Sequence, residues 1–420
     1  MKLKGKKLLI LGATMDEYLL VQRAHELGIY VIVTDYNVDW SLSPAKYLAD
    51  EVWDISWSDV DSLAVQCRTH NVDGILAGFS EFRVENQIKL CALLNKPCYL
   101  SMEQLDITRD KMKFKNCCKH YGVPVVPEYD NSFSDIEYPV IVKPVDRAGS
   151  IGITVSYSEY DLRQAYEQAQ KLSPTGQVIV EKYMLNCSKF DVFYIVIDGK
   201  IYFMGTDDTI MCPPERGREI LQSAWVFPSQ YEKVYLAKVD ASVRKMIEGI
   251  GIANGYITIS AFVDNRNEFY VFETGFRLSG ELSFKYIEKA YGINYLDLML
   301  QYALIGNISD IILSDSKKSE IVTLCVNYFG YTGKVVLQKG KCEIEKYKNA
   351  DYVDFLLTNR NITNNGTLLK KVGMLFIHAS SWNELIMEYS DLWNVVDFFD
   401  ENGHSLLYYR LSLNSLSNLK

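Results

Sequence analysis

The sequence predicts a mixed fold, with an N-terminal α/β domain built on a parallel βαβ pattern followed by α+β regions. Strand and helix signals alternate over residues 7–100, which favours parallel strands joined by helices. Paired apolar runs separated by short polar turns follow, a pattern typical of antiparallel hairpins. Shorter β-type runs with Asn- and Gly-rich turns dominate residues 311–420 and predict a small α+β domain. At 420 residues and 48% hydrophobic content, the chain can bury several cores.

The N-terminal elements carry the skeleton of a dinucleotide-binding fold. Residues 7–11 read as a strand, residues 17–27 as a helix and residues 30–34 as a second strand closed by Asp35. The turn after the first strand has only Gly12, however, and lacks the full glycine fingerprint. We therefore favour a structural or substrate-shaping domain over an NAD-binding one.

The middle of the chain continues with helices, strands and one long loop. Residues 108–121 read as one helix, and residues 160–171 and 233–251 as two more. Residues 200–205 are predicted as a strand and residues 207–230 as a long irregular stretch. We find no internal repeat and no low-complexity segment.

Composition and charge exclude several classes of protein. The net charge of −9 argues against a general nucleic-acid or anionic-membrane binder, while a local basic pocket for a nucleotide stays compatible with it. No stretch approaches the ~20 apolar residues of a membrane span. The short apolar run after the basic start is followed by Asp16 and Glu17, so we read it as a strand rather than a signal peptide. Nine scattered cysteines without a C-x-x-C pair favour reduced thiols in a cytoplasmic protein.

The most informative segment is a strand, a small-residue loop and a return strand around Lys143. The apolar run 140–144 ends on Lys143 and Pro144, residues 146–152 form the loop, and the apolar run 153–155 follows. Backbone N–H groups of such a loop can close over phosphate oxygens, because glycine lets the backbone approach closely. The lysine supplies the point charge that a polyphosphate needs. The segment therefore indicates ATP binding and, with it, an enzyme.

Lys143 belongs to a set of motifs that stand in a fixed order along the chain. In chain order, these motifs are the helix start at residues 109–111, the hairpin 140–155, residues 180–184, the pair Lys189 and Asp191, and residues 272–280. In this order they resemble the ATP-grasp superfamily, in particular the branch of biotin carboxylases, carbamoyl-phosphate synthetases and purine ligases. The resemblance covers about residues 1–310.

The resemblance implies a three-part architecture and an activity. Residues 1–105 would form an N-terminal βαβ pre-ATP-grasp domain, residues 106–310 a two-part ATP-grasp clamp with its lid at about 125–185, and residues 311–420 a small C-terminal α+β domain. Family chemistry is the activation of a carboxylate by ATP as an acyl phosphate, which an amine then attacks. The implied cofactors are ATP and Mg²⁺, with Mn²⁺ as an alternative, and family precedent favours a homodimer.

The resemblance also assigns nucleotide-binding roles residue by residue. Two lysines match the phosphate contacts, a glycine–serine loop the lid, a hinge segment the adenine contacts, and two strand residues the ribose side. In chain order, these residues are Lys111, Lys143, Gly149, Ser150, Gly152, Glu181, Lys182, Tyr183, Met184, Lys189 and Asp191. The alternatives are a solvated helix lysine, a plain hairpin turn and an ordinary surface strand. Lys143 counts with Arg277 as catalytic, because the compact charge of a lysine follows a moving phosphate.

The resemblance places the metal and the acyl group near residues 273–277. Glu273 matches the metal-ligating glutamate, and magnesium prefers hard oxygen ligands shared between carboxylates and phosphates. Arg277 matches the arginine whose fork holds the substrate carboxylate or the acyl phosphate. Two positions depart from the family, because Gly275 stands where an asparagine ligand is usual and Ser260 where a second metal acid is usual.

Three explanations for the altered metal site stay open. An acid from elsewhere, namely Asp264, Asp207 or Asp208, would fill in, or water would replace the lost ligands. The third explanation is a site that binds nucleotide without efficient turnover. The intact lysines, adenine hinge, Glu273 and Arg277 favour an active enzyme.

Candidate substrate contacts lie in two further segments. Arg216 and Arg218 fall where the family places a loop over the acyl site, and there they would steer an anionic substrate or contact phosphate. Exposed surface arginines are the alternative. Glu81 and Arg83 follow the carboxyl end of a parallel strand, where open α/β sheets present ligand groups.

The leading hypothesis is an ATP-dependent carboxylate–amine ligase for small metabolites, amino acids among them. The first alternative is a bicarbonate-activating carboxylase or carbamoyl-phosphate-forming enzyme, for which any biotin carrier would have to be another chain. The second alternative is a non-catalytic module that binds nucleotide through a weakened metal site.

Overall fold

The computed structural model contains an N-terminal parallel sheet of four strands, an antiparallel sheet of four strands, a large sheet of eight strands and two small two-stranded sheets. This architecture confirms the predicted fold class, an α/β start followed by α+β regions. The described residues are 3–130, 133, 135–147, 151–213, 215, 221–311, 313–314, 316–363 and 369–417.

The N-terminal sheet alternates parallel strands with helices. Its elements are β1 (Lys7–Leu11), α1 (Met15–Glu26), β2 (Tyr30–Thr34), β3 (Glu51–Trp53), α2 (Val60–Thr69), β4 (Gly74–Leu76) and α3 (Glu81–Leu94), with 3₁₀ turns at Trp40–Leu42 and Pro44–Tyr47. The strand order is β3-β2-β1-β4, and every pair is parallel. The strands are short apolar runs because helices or other parts of the chain cover both faces of the sheet.

A small antiparallel sheet follows after two short helices. The elements are α4 (Met102–Arg109), α5 (Lys111–His120), β5 (Glu128–Tyr129), β6 (Val140–Pro144), β7 (Thr154–Ser156), α6 (Glu159–Leu172) and β8 (Val178–Lys182). The strand order is β5-β8-β6-β7, and α6 packs on the sheet over a core of its own that includes Val142, Leu162 and Val180. We call this unit the lid.

The helix predicted over residues 108–121 is confirmed as α5, but it begins at Lys111, and residues 108 and 109 belong to the separate helix α4. Asp110 separates α4 from α5 with an extended backbone at ψ 116°. Its side chain accepts hydrogen bonds from the backbone N–H groups of Met112 and Lys113, both at 2.9 Å. Asp110 is therefore an N-cap, which satisfies the first free donors of the new helix and places Lys111 at its first position.

The large sheet combines strands from the middle and the end of the chain. Its first part comprises β9 (Ser188–Ile197), β10 (Lys200–Met211), β11 (Gln222–Phe227), α7 (Glu232–Lys238), α8 (Asp240–Gly249), β12 (Gly255–Val263), β13 (Phe269–Gly275), α9 (Phe284–Tyr291) and α10 (Tyr295–Ile305). The C-terminal elements are β14 (Val322–Gly330), β15 (Gly333–Lys334), β16 (Leu337–Lys339), α11 (Lys341–Ile344), β17 (Ala350–Asp354), β18 (Asn361–Ile362), β19 (Lys370–Ala379), α12 (Trp382–Leu392), β20 (Asp397–Phe399) and α13 (Leu413–Ser417).

This sheet runs without interruption across the predicted boundary at residue 310. Its strand order is β13-β12-β9-β10-β11-β14-β19-β17, so β11 pairs directly with β14. Ala224 and Val226 of β11 belong to the same hydrophobic core as Leu324 and Val326 of β14. The domain limits 1–105, 106–310 and 311–420 stay predictions.

The predicted irregular stretch 207–230 was wrong over much of its length. The strand β10 continues to Met211, and β11 lies within the stretch. The register between β9 and β10 shifts between Phe203 and Thr206, where Gly205 has φ +92°. Such a bulge lets a strand bend and continue. The polar composition of the stretch misled the prediction, because Asp207 is buried in the sheet.

Close backbone packing joins the N-terminal sheet to the rest of the molecule. A Cβ atom at Gly74 would lie 2.2 Å from the carbonyl oxygen of Ala303, so only glycine lets β4 pack against α10.

The predicted helix 233–251 is two helices, α7 and α8, which meet at Val239. Among the described residues, no helix is long and apolar enough to cross a membrane.

Candidate active site

A cavity of about 300 Å³ lies between the lid and the large sheet. Charged residues line one part of it and apolar residues the other. The lining includes Lys111, Ile141, Lys143, Ile153, Glu181, Lys182, Tyr183, Met184, Lys189, Met211, Phe262, Phe272 and Glu273. Most of the residues predicted to bind ATP therefore converge here from β6, β8, β9, β13 and the start of α5. A lining that combines apolar and cationic side chains fits a nucleotide base and its phosphates.

The predicted adenine hinge lies at the end of β8. The N–H of Lys182 donates to the Pro127 carbonyl at 2.9 Å, and the N–H of Tyr183 donates to the Pro139 carbonyl at 3.2 Å. These bonds fix the backbone, so the hinge is pre-organised. Tyr183 and Met184 line the cavity, and the Lys182 ammonium group contacts Glu137 at 3.1 Å.

The Glu181 carboxylate holds two lysines, because one oxygen accepts from Lys143 at 2.7 Å and the other from Lys115. Its contact with adenine stays a prediction. All three side chains are buried. Burial raises the pKa of Glu181, but the two ammonium groups outweigh burial and leave the pKa below its usual value. Glu181 thus orients Lys143 toward the cavity.

Two lysines give the phosphate end of the cavity its positive charge. The ammonium group of Lys111 donates to the Arg147 carbonyl at 2.6 Å, and the backbone N–H of Lys111 donates to the Val145 carbonyl. Burial lowers the pKa of Lys111, and nearby Lys143 lowers it further against the opposing effect of Glu273. Two ammonium groups that repel each other in a partly buried site favour binding of a polyanion.

The lid loop is only partly described. Gly149 and Ser150 lie outside the described residues. Gly152 has φ +76°, and a Cβ atom there would lie 2.9 Å from Cγ of Pro144. Glycine is therefore required where the loop returns against the end of β6.

On the predicted ribose side, Lys189 lines the cavity and Asp191 lies behind it. The Lys189 ammonium group donates to Asp191 at 2.9 Å, and the Ser260 hydroxyl donates to the other carboxylate oxygen. Burial lowers the pKa of Lys189, but Asp191 and then Glu281 outweigh it, so the pKa lies above its usual value. Asp191 is fully buried and serves to position Lys189.

Glu273 is the one acidic residue of the predicted metal site that faces the cavity. It is exposed there and stands opposite Ser260 in the β12–β13 register. A Cβ atom at Gly275 would meet nothing within 4 Å, which leaves open space beside Glu273. Within the described residues, no group of three His, Cys, Asp or Glu side chains could hold a metal ion. One carboxylate with open space fits a cation that also takes phosphate oxygens and water as ligands.

The three acids that were candidates to fill the metal site are engaged elsewhere. Asp264 lies in the β12–β13 turn and accepts from the Arg266 backbone N–H at 2.9 Å. Asp208 accepts from the Ser229 hydroxyl at 2.6 Å. Asp207 accepts from the Tyr286 hydroxyl at 2.6 Å, and its other oxygen has no described partner. Burial and then Asp191 raise the pKa of Asp207 well above its usual range.

The predicted acyl-site arginine lies at the junction with the N-terminal sheet. The Arg277 guanidinium donates to Glu81 at 2.5 Å and to the Leu278 carbonyl at 3.0 Å. Arg277 and Glu81 line one small pocket, and Glu81 also lines a second one together with Glu273. Glu81 thus pairs with the arginine and orients it. Arg216 and Arg218 lie outside the described residues.

The Arg83 side chain occupies the space above the turn after β1, where a dinucleotide would bind. Its guanidinium donates to buried Glu17 at 2.6 Å, and a Cβ atom at Gly12 would lie 2.7 Å from that guanidinium. The space above the first turn is therefore filled by the chain itself. This packing favours a structural role for the N-terminal sheet over NAD binding.

Sequence reasoning missed several charged residues around the site. Lys371 donates to the Gly280 carbonyl at 3.1 Å, and a Cβ atom at Gly280 would lie 3.5 Å from the Asp16 carboxylate. Burial raises the pKa of Glu281 to about 7, and Asp191 adds to this effect. Lys115 was also missed, and it is the one missed residue with a signal in the local sequence, because it follows Lys111 by one helical turn. The others are brought together only by the tertiary fold.

Comparisons with known proteins agree with this geometry. Residues 110–309 match the family model described as the ATP-binding domain of the carbamoyl-phosphate synthase L chain. The carbamoyl phosphate synthase large chain of Methanocorpusculum labreanum is 24% identical over 321 residues, which cover 72% of this chain and 29% of that protein. The chain thus spans less than a third of the length of that relative.

Two solved structures share the fold over almost the whole chain. The L-amino acid ligase from Bacillus licheniformis has a TM-score of 0.76 at 17% identity, covering 95% of this chain and 100% of that one. The biotin carboxylase domain of Hydrogenobacter thermophilus 2-oxoglutarate carboxylase, solved as a dimer with MgADP, ADP and bicarbonate, has a TM-score of 0.77 at 17% identity. That match covers 96% of this chain and 91% of the domain.

Proposed function

We propose that this chain is a member of the ATP-grasp superfamily and acts as an ATP-dependent carboxylate–amine ligase on small molecules. The observation that carries the proposal is the cavity in which Lys111, Lys143 and Glu273 face one another between the lid and the large sheet. Arg277 lines a small pocket with Glu81 and Thr274, the neighbour of Glu273 in sequence, and it would supply the fork for a carboxylate.

The reaction follows from these positions in two steps. In the first, a carboxylate oxygen held by Arg277 attacks the γ-phosphorus of ATP; the new O–P bond forms while the bond to the β-phosphate oxygen breaks, and ADP leaves. Lys111 and Lys143 stabilise the charge on the transferred group. In the second step, an amine attacks the acyl carbon, inorganic phosphate leaves, and the amine proton passes to solvent.

A divalent cation completes this assignment. Glu273 would hold Mg²⁺, or Mn²⁺ in its place, together with phosphate oxygens and water. The cation neutralises phosphate charge during transfer. Loss of the second carboxylate at Ser260 and of a ligand at Gly275 predicts weaker cation binding than a full set of ligands would give.

Release of ADP and phosphate across a substrate panel tests the proposal. Carboxylates, amino acids among them, are paired with amines, and bicarbonate is tested alone in a parallel arm. We expect release that needs both a carboxylate and an amine. Release with bicarbonate alone would support a carboxylating enzyme, which the bicarbonate-bound relative makes the second candidate. ATP binding with no release in any arm would leave a non-catalytic nucleotide module.

Assembly and location complete the proposal. A dimeric biotin carboxylase domain is among the relatives, and we propose a homodimer for this chain as well. Sedimentation equilibrium measures its mass directly. The nine free cysteines fit a reducing, cytoplasmic environment.

A further inference from the structure

A second cavity, of about 480 Å³, lies outside the candidate active site. It opens where α1, the α9–α10 region and the C-terminal residues 348–351 meet, and it shares no lining residue with the active-site cavity. Its lining includes four cations, Arg23, Lys285, Lys289 and Lys348, and three acids, Glu26, Glu288 and Asp351. We call it the junction cleft.

Some of these charges are neutralised by fixed partners. Arg23 donates to both carboxylate oxygens of Asp297, at 2.6 and 2.7 Å. Lys285 pairs with Asp351, which also lines the cleft. These pairs hold the walls of the cleft in place.

Two of the cations have no such partner. Lys289 and Lys348 are exposed, and neither makes an ion pair or hydrogen bond within the part of the chain that the structure describes. Lys289 comes from α9 and Lys348 from the segment before β17. The cleft therefore presents two free ammonium groups from different parts of the fold.

His378 lies among the cations of the cleft. Its Nδ1 lies 2.9 Å from the Thr323 hydroxyl, and its ring lines the cleft. Burial, and then Lys289 and Lys285, lower the pKa of His378 to about 4 against the opposing effect of Asp351. The ring is thus neutral at pH 7, and its second nitrogen can donate a hydrogen bond to a ligand.

We propose that the junction cleft binds a small multivalent anion through its carboxylate or phosphate oxygens. Lys289 and Lys348 would contact the anion from two different parts of the fold, and His378 would donate a hydrogen bond to it. Ammonium groups suit such oxygens because charge-assisted hydrogen bonds to them are strong. A bound anion would tether α9 to the C-terminal region and stabilise the folded chain by mass action.

The test uses the full chain with excess Mg²⁺-ADP, which occupies the nucleotide site. Inorganic phosphate, pyrophosphate and citrate are titrated separately by calorimetry at low salt. We expect at least one to bind once per chain. The Lys289→Ala/Lys348→Ala variant should bind it about 100-fold more weakly, about tenfold for each lost charged contact. Binding of phosphates alone identifies a phosphate ligand, and binding of citrate alone identifies a carboxylate ligand.

A matched variant controls for general loss of charge. Lys233→Ala/Lys245→Ala removes two exposed lysines of α7 and α8 that lie outside the cleft, and it should bind like the wild type. Three results would overturn the proposal: no probe binds the wild type, the cleft variant binds as the wild type does, or both variants lose affinity equally. ATP turnover of the cleft variant should equal that of the wild type, so this test stands apart from the proposed ligase activity.

Discussion

Lys115 is the buried residue on which the geometry of the phosphate site depends. It neutralises the Glu181 oxygen that Lys143 leaves free. A buried carboxylate is costly unless both oxygens are satisfied, so the two lysines stabilise it together. Because Lys115 binds one oxygen of Glu181, the other oxygen can orient Lys143, whose side chain lines the cavity.

We predict that Lys115→Met lowers the free energy of unfolding at pH 7 by about 2 kcal/mol, the typical cost of losing one buried charged hydrogen bond. Glu181 has a lowered pKa in the fold, so its contribution is present above its unfolded pKa and is lost as pH falls. The deficit of the variant should therefore shrink below about pH 4. Urea unfolding at pH 7 and at pH 3.5 measures it.

Lys119→Met is the matched control for Lys115→Met. Lys119 lies one turn further along α5 and pairs with Glu128, but its side chain is 49% exposed. Exposed pairs contribute about 0–1 kcal/mol. A loss in Lys119→Met as large as that in Lys115→Met would show that the buried network has no special importance.

Asp16 connects α1 to the loop that follows Arg277. Burial raises its pKa to about 6, and one carboxylate oxygen has no described partner. An acid whose pKa is raised by folding holds its proton more tightly in the folded state. Its contribution therefore makes stability fall as pH rises from about 4 to about 6.

We predict that Asp16→Asn removes this part of the pH dependence. The free energy of unfolding of the variant minus that of the wild type, measured with urea, should be larger at pH 7 than at pH 4. Asp61→Asn is the control, because Asp61 occupies the first turn of α2 but is exposed. An identical pH profile for Asp16→Asn and the wild type would contradict the assigned burial.

Sequence reasoning located the site residues whose signal is local. Lys143 and Glu273 were found because each ends a short apolar run beside glycines, and both line the cavity. The pairing of Glu181 with Lys115 was not predicted, because the two residues lie 66 positions apart. Paired charges of this kind cannot be recognised before the fold brings them together.

At the level of elements, turns and caps explain which boundaries were predicted correctly. The strand β1 and the strand β2 have the predicted limits, since buried apolar runs between turns leave little choice. The motif at residues 109–111 predicted a helix start there, and the structure places it at Lys111, after the N-cap Asp110. The extension of β10 was missed because a bulge carries the strand past Gly205 into buried acids.

The contact between β4 and α10 yields a prediction for Gly74. Gly74→Ala should lower the free energy of unfolding by about 1–3 kcal/mol, because a Cβ atom would collide with the Ala303 carbonyl oxygen 2.2 Å away. Gly122→Ala is the control, since Gly122 has φ +72° but open space around it. That change should cost only about 1 kcal/mol of backbone strain. A neutral Gly74→Ala would contradict the observed packing.

At the level of the whole molecule, the eight-stranded sheet joins strands from residues 322–379 to strands from residues 188–275 in one scaffold. The strand β14 covers the edge of β11, and both contribute to one core. A fragment of residues 1–310 would expose the backbone edge and the apolar side chains of β11. Exposed edges of this kind promote association.

We predict that the fragment 1–310 aggregates or lacks cooperative unfolding, and that residues 311–420 supplied in trans restore a soluble complex. Size-exclusion chromatography and circular dichroism distinguish these outcomes. A monomeric 1–310 fragment with its own cooperative transition would instead establish residue 310 as an independent domain boundary.

The most direct test of the ATP site is calorimetric binding of Mg²⁺-ATP to the wild type, Lys143→Ala and Lys171→Ala. Lys171 is an exposed lid lysine that does not line the cavity. We predict one site per chain, about tenfold to 100-fold weaker in Lys143→Ala through loss of a charged phosphate contact, and unchanged in Lys171→Ala. Equal affinity of Lys143→Ala and the wild type would contradict the placement of ATP phosphates between the lid and the large sheet.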